Sequence, residues 1–138
     1  MTTELREIEL SNSETDLTHA EWLGGNDTVV ALAREAPGRR VILSVPVSDG
    51  EPRVIHRFAS EHDYSGLAAS PDGREVAFVQ RAADGFFQVF RLAIDGRSSP
   101  VQVTKDPSHK TQPAWSPDGD RIAYTIWSYQ AHFWTLRP

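Results

Sequence analysis

The sequence contains no cysteine, which excludes disulfide bonds and thiolate metal sites and leaves the redox character of its compartment open. It has no apolar run that approaches the roughly 18 residues of a membrane-spanning helix, so we expect no insertion into a membrane. The first residues, MTTELREIELSNSE, lack the basic stretch and the apolar run of a secretory signal. We therefore expect a cytoplasmic protein from the sequence as written, or a periplasmic one if a signal peptide has been removed.

Basic residues are in the minority, because 14 Lys and Arg face 19 Asp and Glu and give a net charge of −5. This balance offers no global electrostatic reason to bind nucleic acid or anionic lipid. The sequence also lacks the GxSxG, GxGxxG, phosphate-loop and HExxH motifs. We predict that the chain is not an enzyme and that it has no catalytic, cofactor-binding or metal-binding residues. Its 138 residues, 39% hydrophobic and 24% charged, fit one globular domain.

What the sequence does contain is a repeat. The string AASPDGREVAF (68–78) returns 46 positions later as AWSPDGDRIAY (114–124), and a degraded copy surrounds Trp22, 47 positions before Ala69. A period near 46 residues predicts a propeller or a solenoid. Each copy holds short runs rich in Val, Ile, Phe and Tyr between clusters of Gly, Pro, Asp and Ser. This pattern predicts four strands per copy, which we name a to d.

The tetrapeptide Ser-Pro-Asp-Gly is predicted to form the turn between strands a and b. Proline fixes φ at about −65° in the second position, aspartate suits the third, and glycine supplies the positive φ that closes a type I turn with a bulge. A turn role explains both aspartates without catalysis. The predicted structural turn residues are Ser70, Pro71, Asp72, Gly73, Ser116, Pro117, Asp118 and Gly119.

These residues resemble the TolB-type β-propeller repeat, a relative of WD-repeat blades with the rough pattern P-x-W-S-P-D-G-x-x-I-A-F. Residues 113–124 match nearly all of it, and residues 70–78 match well, with Ala69 in place of the usual tryptophan. The first copy is assigned through Trp22 and its spacing. The resemblance implies an all-β fold of β-propeller blades, each of four antiparallel strands, with about three blades in this chain.

The spacing predicts one propeller domain over residues 1–138. Its predicted parts are a lone outer strand at 7–11, a first blade at 18–56, a second at 65–104, and a third at 112–136 that lacks its outer strand. Propellers close with about four to eight blades, so two interpretations stay open. Two copies form a six-bladed ring as a strand-exchanged homodimer, in which each N-terminal strand completes the partner's third blade. Alternatively, the chain is part of a longer propeller.

The longer b–c and d–a loops share one face, because antiparallel strands alternate in direction, and function concentrates on longer loops. The predicted partner-binding rim on this face is His19, His62, Asp63, Tyr64, His109, Lys110, Trp127 and Tyr129. His62 and His109 occupy nearly equivalent repeat positions, but no ligand cluster accompanies them, so we predict no metal site. The aromatic rim residues either form a recognition hot spot or pack over the adjoining blade. Trp22 and Trp115 are predicted to lie in blade-to-blade cores.

The leading functional hypothesis is a non-catalytic, protein- or peptide-binding module of TolB-like type that also self-associates as a homodimer. One alternative is a small-ligand-binding or lyase/lactonase-type propeller enzyme with its pocket at the channel mouth. The residues expected there form a set poor in carboxylates: Thr18, His19, Ser65, Gly66, Thr111 and Gln112. A second alternative is a structural subunit of a larger complex.

Overall fold

The computed structural model describes residues 16–25, 27–35, 38–48, 50–59, 64–127 and 132–138. The regular structure of these residues is entirely β, and none of them forms a helix that could cross a membrane. The strands are β1 (Asp16–Trp22), β2 (Thr28–Glu35), β3 (Arg39–Pro46), β4 (Arg53–Arg57), β5 (Tyr64–Ala69), β6 (Glu75–Arg81), β7 (Phe87–Ala93), β8 (Val101–Gln102), β9 (Lys110–Trp115), β10 (Ile122–Ile126) and β11 (His132–Leu136).

The strands form three antiparallel sheets, and within each sheet neighbouring strands follow one another along the chain. The first sheet is β1-β2-β3-β4, the second is β5-β6-β7-β8, and the third is β9-β10-β11. The predicted all-β fold of four-stranded antiparallel blades is confirmed. The third sheet has three strands among the described residues, and the predicted strand at 7–11 lies outside them.

The first strands of successive sheets lie next to one another. β1 contacts β5, and β5 contacts β9. Ser65 and Thr111 occupy the same repeat position in β5 and β9, and their hydroxyl groups hydrogen bond at 2.9 Å. The sheets therefore stand side by side with their a strands together, as the blades of a propeller do around its axis.

The second sheet is covered on both faces. Val76 and Phe78 of β6 belong to the core shared with the first sheet, whereas Ala77 and Val79 belong to the core shared with the third. Alternate residues of a strand point to opposite faces, so a strand buried on both sides has a continuous apolar run. This explains why the sequence VAFV shows no polar alternation.

Aromatic rings fill the core between the first and second sheets. Phe58 meets Phe78 edge-on with ring centroids 5.5 Å apart, and Phe78 stacks on Phe90 at 5.9 Å. His56 joins this group at 4.9 Å from Phe78, and its Nε2 lies 2.8 Å from Oε1 of Gln80. Because a glutamine Oε1 only accepts, the imidazole donates this hydrogen bond. Burial lowers the pKa of His56 below its usual value, and the hydrogen bond to Gln80 opposes that shift only in part.

The Ser-Pro-Asp-Gly turns are held by their own side chains. In the second sheet the Ser70 hydroxyl donates to Asp72 Oδ1 at 2.7 Å and accepts the Glu75 N–H at 2.9 Å. The Gly73 N–H donates to the Ser70 carbonyl at 3.1 Å, with φ at +72°. The hydrogen bonds from Ser70 and from the Arg74 N–H hold the pKa of Asp72 below its usual value. The turn of the third sheet repeats this arrangement from Ser116 to Arg121.

Within one chain Trp22 does not lie in the predicted blade-to-blade core, because 59% of its surface is exposed. Its repeat equivalent Trp115 packs against the core between the second and third sheets and donates its Nε1–H to the Ala68 carbonyl at 3.2 Å. The residue at this position therefore packs against the preceding sheet. The described residues place no sheet on that side of the first one, which leaves Trp22 open.

Candidate partner-binding site

Loops of the second and third sheets meet on the predicted functional face. Residues 82–86 connect β6 to β7, residues 103–109 connect β8 to β9, and Trp127 follows β10. Four ring side chains come together at this place, and we call them the junction cluster: Phe86, Phe87, His109 and Trp127.

His109 is the centre of the junction cluster. Its ring centroid lies 5.1 Å from that of Phe86, 5.5 Å from that of Phe87 and 6.5 Å from that of Trp127. The Phe87 N–H donates to His109 Nδ1 at 3.1 Å, and the Trp127 N–H donates to the His109 carbonyl at 2.9 Å. Because Nδ1 accepts a hydrogen bond, the neutral ring carries its proton on Nε2. One histidine thus links the second sheet to the third.

The cluster presents aromatic and cationic groups to solvent. Trp127 is 79% exposed although its backbone is hydrogen bonded. The Arg81 guanidinium lies 4.9 Å from the centroid of the Phe87 ring, a cation–π distance. Tryptophan and arginine are among the residues that are enriched at binding hot spots.

Lys110 was predicted on the rim, but the structure buries it to 1% exposure. Its ammonium donates to the carbonyls of Asp106 and Ser108 at 2.9 and 2.7 Å and to the Ser108 hydroxyl at 2.9 Å, and lies 2.7 Å from Asp106 Oδ2. A buried charge is tolerated when its donors are all used in this way. Lys110 therefore fixes the loop and offers a partner no contact.

The Asp106 carboxyl responds to this lysine. Partial burial alone would raise its pKa, but hydrogen bonds from Lys110 and Ser108 and the positive charge of Lys110 hold the pKa below its usual value. The carboxylate consequently stays ionised and keeps its bond to the ammonium.

A second buried network ties the same loop to β7. Gln88 is fully buried, its Nε2 donates to the Asp106 carbonyl at 2.8 Å, and its Oε1 accepts the Thr104 hydroxyl at 2.6 Å. The Thr104 hydroxyl oxygen in turn accepts the Val89 N–H at 2.9 Å. The loop that carries His109 is therefore held at both ends by buried polar groups.

The remaining rim predictions have different outcomes. His19 lies within β1, exposed, with Nε2 3.0 Å from Oε1 of Glu21, and is not part of the junction cluster. Tyr64 begins β5. His62, Asp63 and Tyr129 lie outside the described residues. In the part of the chain that the structure describes, no three His, Asp or Glu side chains come together in a way that suits a metal ion.

The first strands of the sheets, which stand together at the propeller axis, contain one unusual backbone conformation. Gln112 of β9 has φ at +51°, the one non-glycine residue with positive φ among those described. Its repeat equivalent in β5 is Gly66, with φ at +81°, where an added Cβ would lie 2.7 Å from Pro113 Cδ. Strained conformations of this kind often mark functional sites. Gln112 is exposed at the inner edge beside the Ser65–Thr111 hydroxyl pair.

The sequence interpretation missed Phe86 and Phe87, because the run GFFQVF reads as the start of a strand. The loop signal RAADG directly before them places both at a b–c connection. The strained residue Gln112 also had a signal in the sequence, because it aligns with Gly66 of the preceding copy. A glycine at one position of a repeat indicates that the backbone there has positive φ, and the equivalent residue of the next copy is then expected to share it.

No protein-family model matches the sequence, and no curated protein matches it. Solved structures do match. TolB from Acinetobacter baumannii has 19% identity over 93% of this chain and 31% of its own, with a TM-score of 0.75. The oligogalacturonate lyase of Vibrio parahaemolyticus is 14% identical, and the match covers 98% of this chain and 39% of the lyase, with a TM-score of 0.75. The β-propeller domain of the Trilobed protease from Pyrococcus furiosus is 12% identical, and the match covers 89% of this chain and 39% of that domain, with a TM-score of 0.65.

The chain spans between 31 and 39% of the length of these three proteins. Such low identities report on the fold alone. Three antiparallel sheets with their first strands side by side agree with these neighbours. The chain therefore has the fold of a TolB-type β-propeller, of which the described residues form three blades.

Proposed function

We propose that this chain is a non-catalytic binding module that contacts a protein or peptide through its b–c and d–a loops, at the junction cluster. The observation that carries the proposal is the 79% exposure of Trp127. An indole offers a large contact area and loses little freedom on binding, because only two side-chain torsions must be fixed.

The support beneath this tryptophan favours the proposal. His109 holds the backbone of Trp127, and Lys110 and Gln88 hold the loop that carries His109. A surface that is already ordered in the free protein loses less conformational entropy when its partner binds.

The same proposal includes self-association. Two copies would form a six-bladed ring, with residues 7–11 of each copy added to the open edge of the partner's third sheet. The support is that the first two sheets have four strands each and the third has three among the described residues. An unpaired outer strand exposes backbone N–H and carbonyl groups that a further strand can satisfy.

A second candidate is a lyase-type or other small-ligand enzyme that uses the inner strands. The strained backbone of Gln112 beside the Ser65–Thr111 pair favours it, and one structural neighbour is an oligogalacturonate lyase. Incubation of the chain with oligogalacturonate tests the lyase form of the second candidate. The binding-module proposal expects no turnover, whereas turnover that Gln112→Ala lowers would support the enzyme.

The binding proposal is tested with a random-peptide display library selected on the immobilised chain. Enriched peptides should bind Trp127→Ala at least about tenfold more weakly than the original chain, because truncation of a central aromatic typically costs more than 1 kcal/mol. Trp134→Ala is the matched control, since Trp134 is also an exposed tryptophan, 52% accessible, but lies on β11. Peptides that bind Trp127→Ala as tightly as the original chain would contradict the proposal.

A further inference from the structure

The junction between the second and third sheets shows how the repeat accommodates a tryptophan. Trp115 packs against the core that contains Ala68 and Ala77, and its Nε1–H donates to the Ala68 carbonyl. Ala68 and Ala77 face each other across β5 and β6 and are only 5 and 0% exposed. Two methyl side chains leave space for an indole ring, so this alanine pair is the surface on which Trp115 rests.

The third sheet carries a second alanine pair at the equivalent place. Ala114 and Ala123 lie 46 positions after Ala68 and Ala77, and they face each other across β9 and β10. Ala114 is exposed and Ala123 is half-buried. The pair that receives a tryptophan in the second sheet is thus repeated, open, in the third.

The first sheet carries an open tryptophan at the equivalent place. Trp22 and Leu17 pair with Val29 and Ala33 of β2, which puts both on one face of the sheet. They are 59 and 53% exposed. Large apolar side chains exposed together on one strand indicate a surface that another molecule covers.

At the junction between the first and second sheets, the size of the residue from one sheet is matched to the size of the side-chain pair that it meets on the other. Here the pair equivalent to the two alanines is Glu21 and Val30, which face each other across β1 and β2. The residue that meets it is Ala69, whose N–H donates to Glu21 Oε2 at 2.9 Å. A small residue therefore meets the larger pair, and a tryptophan meets the alanine pair. Trp22 fits Ala114 and Ala123 by the same rule.

We infer that Trp22 of one copy packs on the Ala114–Ala123 pair of a second copy, with its Nε1–H donating to the partner's Ala114 carbonyl. Two such contacts, related by a two-fold axis along the propeller, close a six-bladed ring. This inference rests on the homodimer proposed above and is independent of the loop-face partner.

The absence of cysteine allows a direct test by thiol cross-linking. Trp22→Cys and Ala114→Cys are prepared as separate full-length chains and oxidised alone and as a mixture. The ring places each Trp22 beside the partner's Ala114 and far from the other Trp22. A covalent dimer should form in the mixture and not with either variant alone. A dimer with Trp22→Cys alone, or none in the mixture, would overturn the inference.

A second measurement separates this contact from strand exchange. Trp22→Ala should raise the dimer dissociation constant at least about thirtyfold, as expected for loss of a central aromatic anchor. Trp127→Ala, on the loop face, should leave it unchanged. Because Trp22 is mostly exposed within one chain, its removal should leave the fold intact, which circular dichroism checks. An unchanged dissociation constant for Trp22→Ala overturns the contact but not the dimer, and a monomeric original chain overturns both.

Discussion

Two residues at equivalent positions of the repeat share a left-handed backbone conformation although their side chains differ. Gly66 and Gln112 both have positive φ, at +81° and +51°. In the second sheet the space above the backbone is taken by Pro113, whereas in the third a full side chain is present and exposed. The tolerance of each site to a Cβ is therefore set by the neighbouring blade.

We predict that Gly66→Ala lowers the free energy of unfolding by about 2 kcal/mol or more, because it adds a left-handed strain and a contact with Pro113. Gln112→Ala is the matched control and should change it by less than about 0.5 kcal/mol, since the side chain there is exposed. Urea unfolding measures both. Equal effects of the two substitutions would show that the neighbouring blade does not constrain Gly66.

His56 shows the cost of an ionisable ring at a blade junction. Because burial holds its pKa below the usual 6.5, the unfolded chain takes up a proton at a pH where the folded chain does not. The contribution of the neutral His56 ring to the free energy of unfolding is fully present above pH 6.5 and is lost as the pH falls below that value. We therefore predict that mild acid weakens the junction between the first two blades.

The difference between wild type and His56→Gln isolates this effect. We expect wild-type stability to fall more steeply than that of the variant between pH 6.5 and 5, with an excess slope of at most about 1.4 kcal/mol per pH unit. Urea midpoints measured across this interval check it. Parallel pH profiles would mean that His56 takes up its proton equally in both states.

At the scale of elements, local features were predictable and contacts between elements were not. The Ser70 and Ser116 turns follow from the sequence because their hydrogen bonds lie within the turn itself. The burial of Lys110 depends on a loop that folds back around its ammonium, and no periodicity signals that. The exposure of Trp22 within one chain was not predicted for a similar reason, since its burial depends on which blade precedes it.

The loop before β9 provides a test at this scale. Lys110→Met should lower the free energy of unfolding by about 3 kcal/mol, because Asp106 and the carbonyls of the loop lose a buried partner. Lys105→Met, at an exposed position of the same loop, should change it by less than about 0.5 kcal/mol. Chemical denaturation compares the two. Similar losses would contradict the structural role assigned to Lys110.

At the scale of the whole molecule, the three sheets leave complementary surfaces at the two ends of the series. The first sheet exposes Trp22, and the third exposes the alanine pair that would receive it. A repeat protein is stabilised by contacts between neighbouring units, and the proposed association would cover the terminal faces that the described residues leave open. Ring closure would also bring the loop faces of both copies to one side of the molecule.

Sedimentation equilibrium of the 138-residue chain at micromolar concentration decides whether that ring exists. One chain has a mass of 15.4 kDa, and closure of two three-bladed halves predicts twice that value. A mass of one chain, as expected if further blades of a longer polypeptide cover the open faces, would contradict the ring. A mass above that of two chains would contradict its closure.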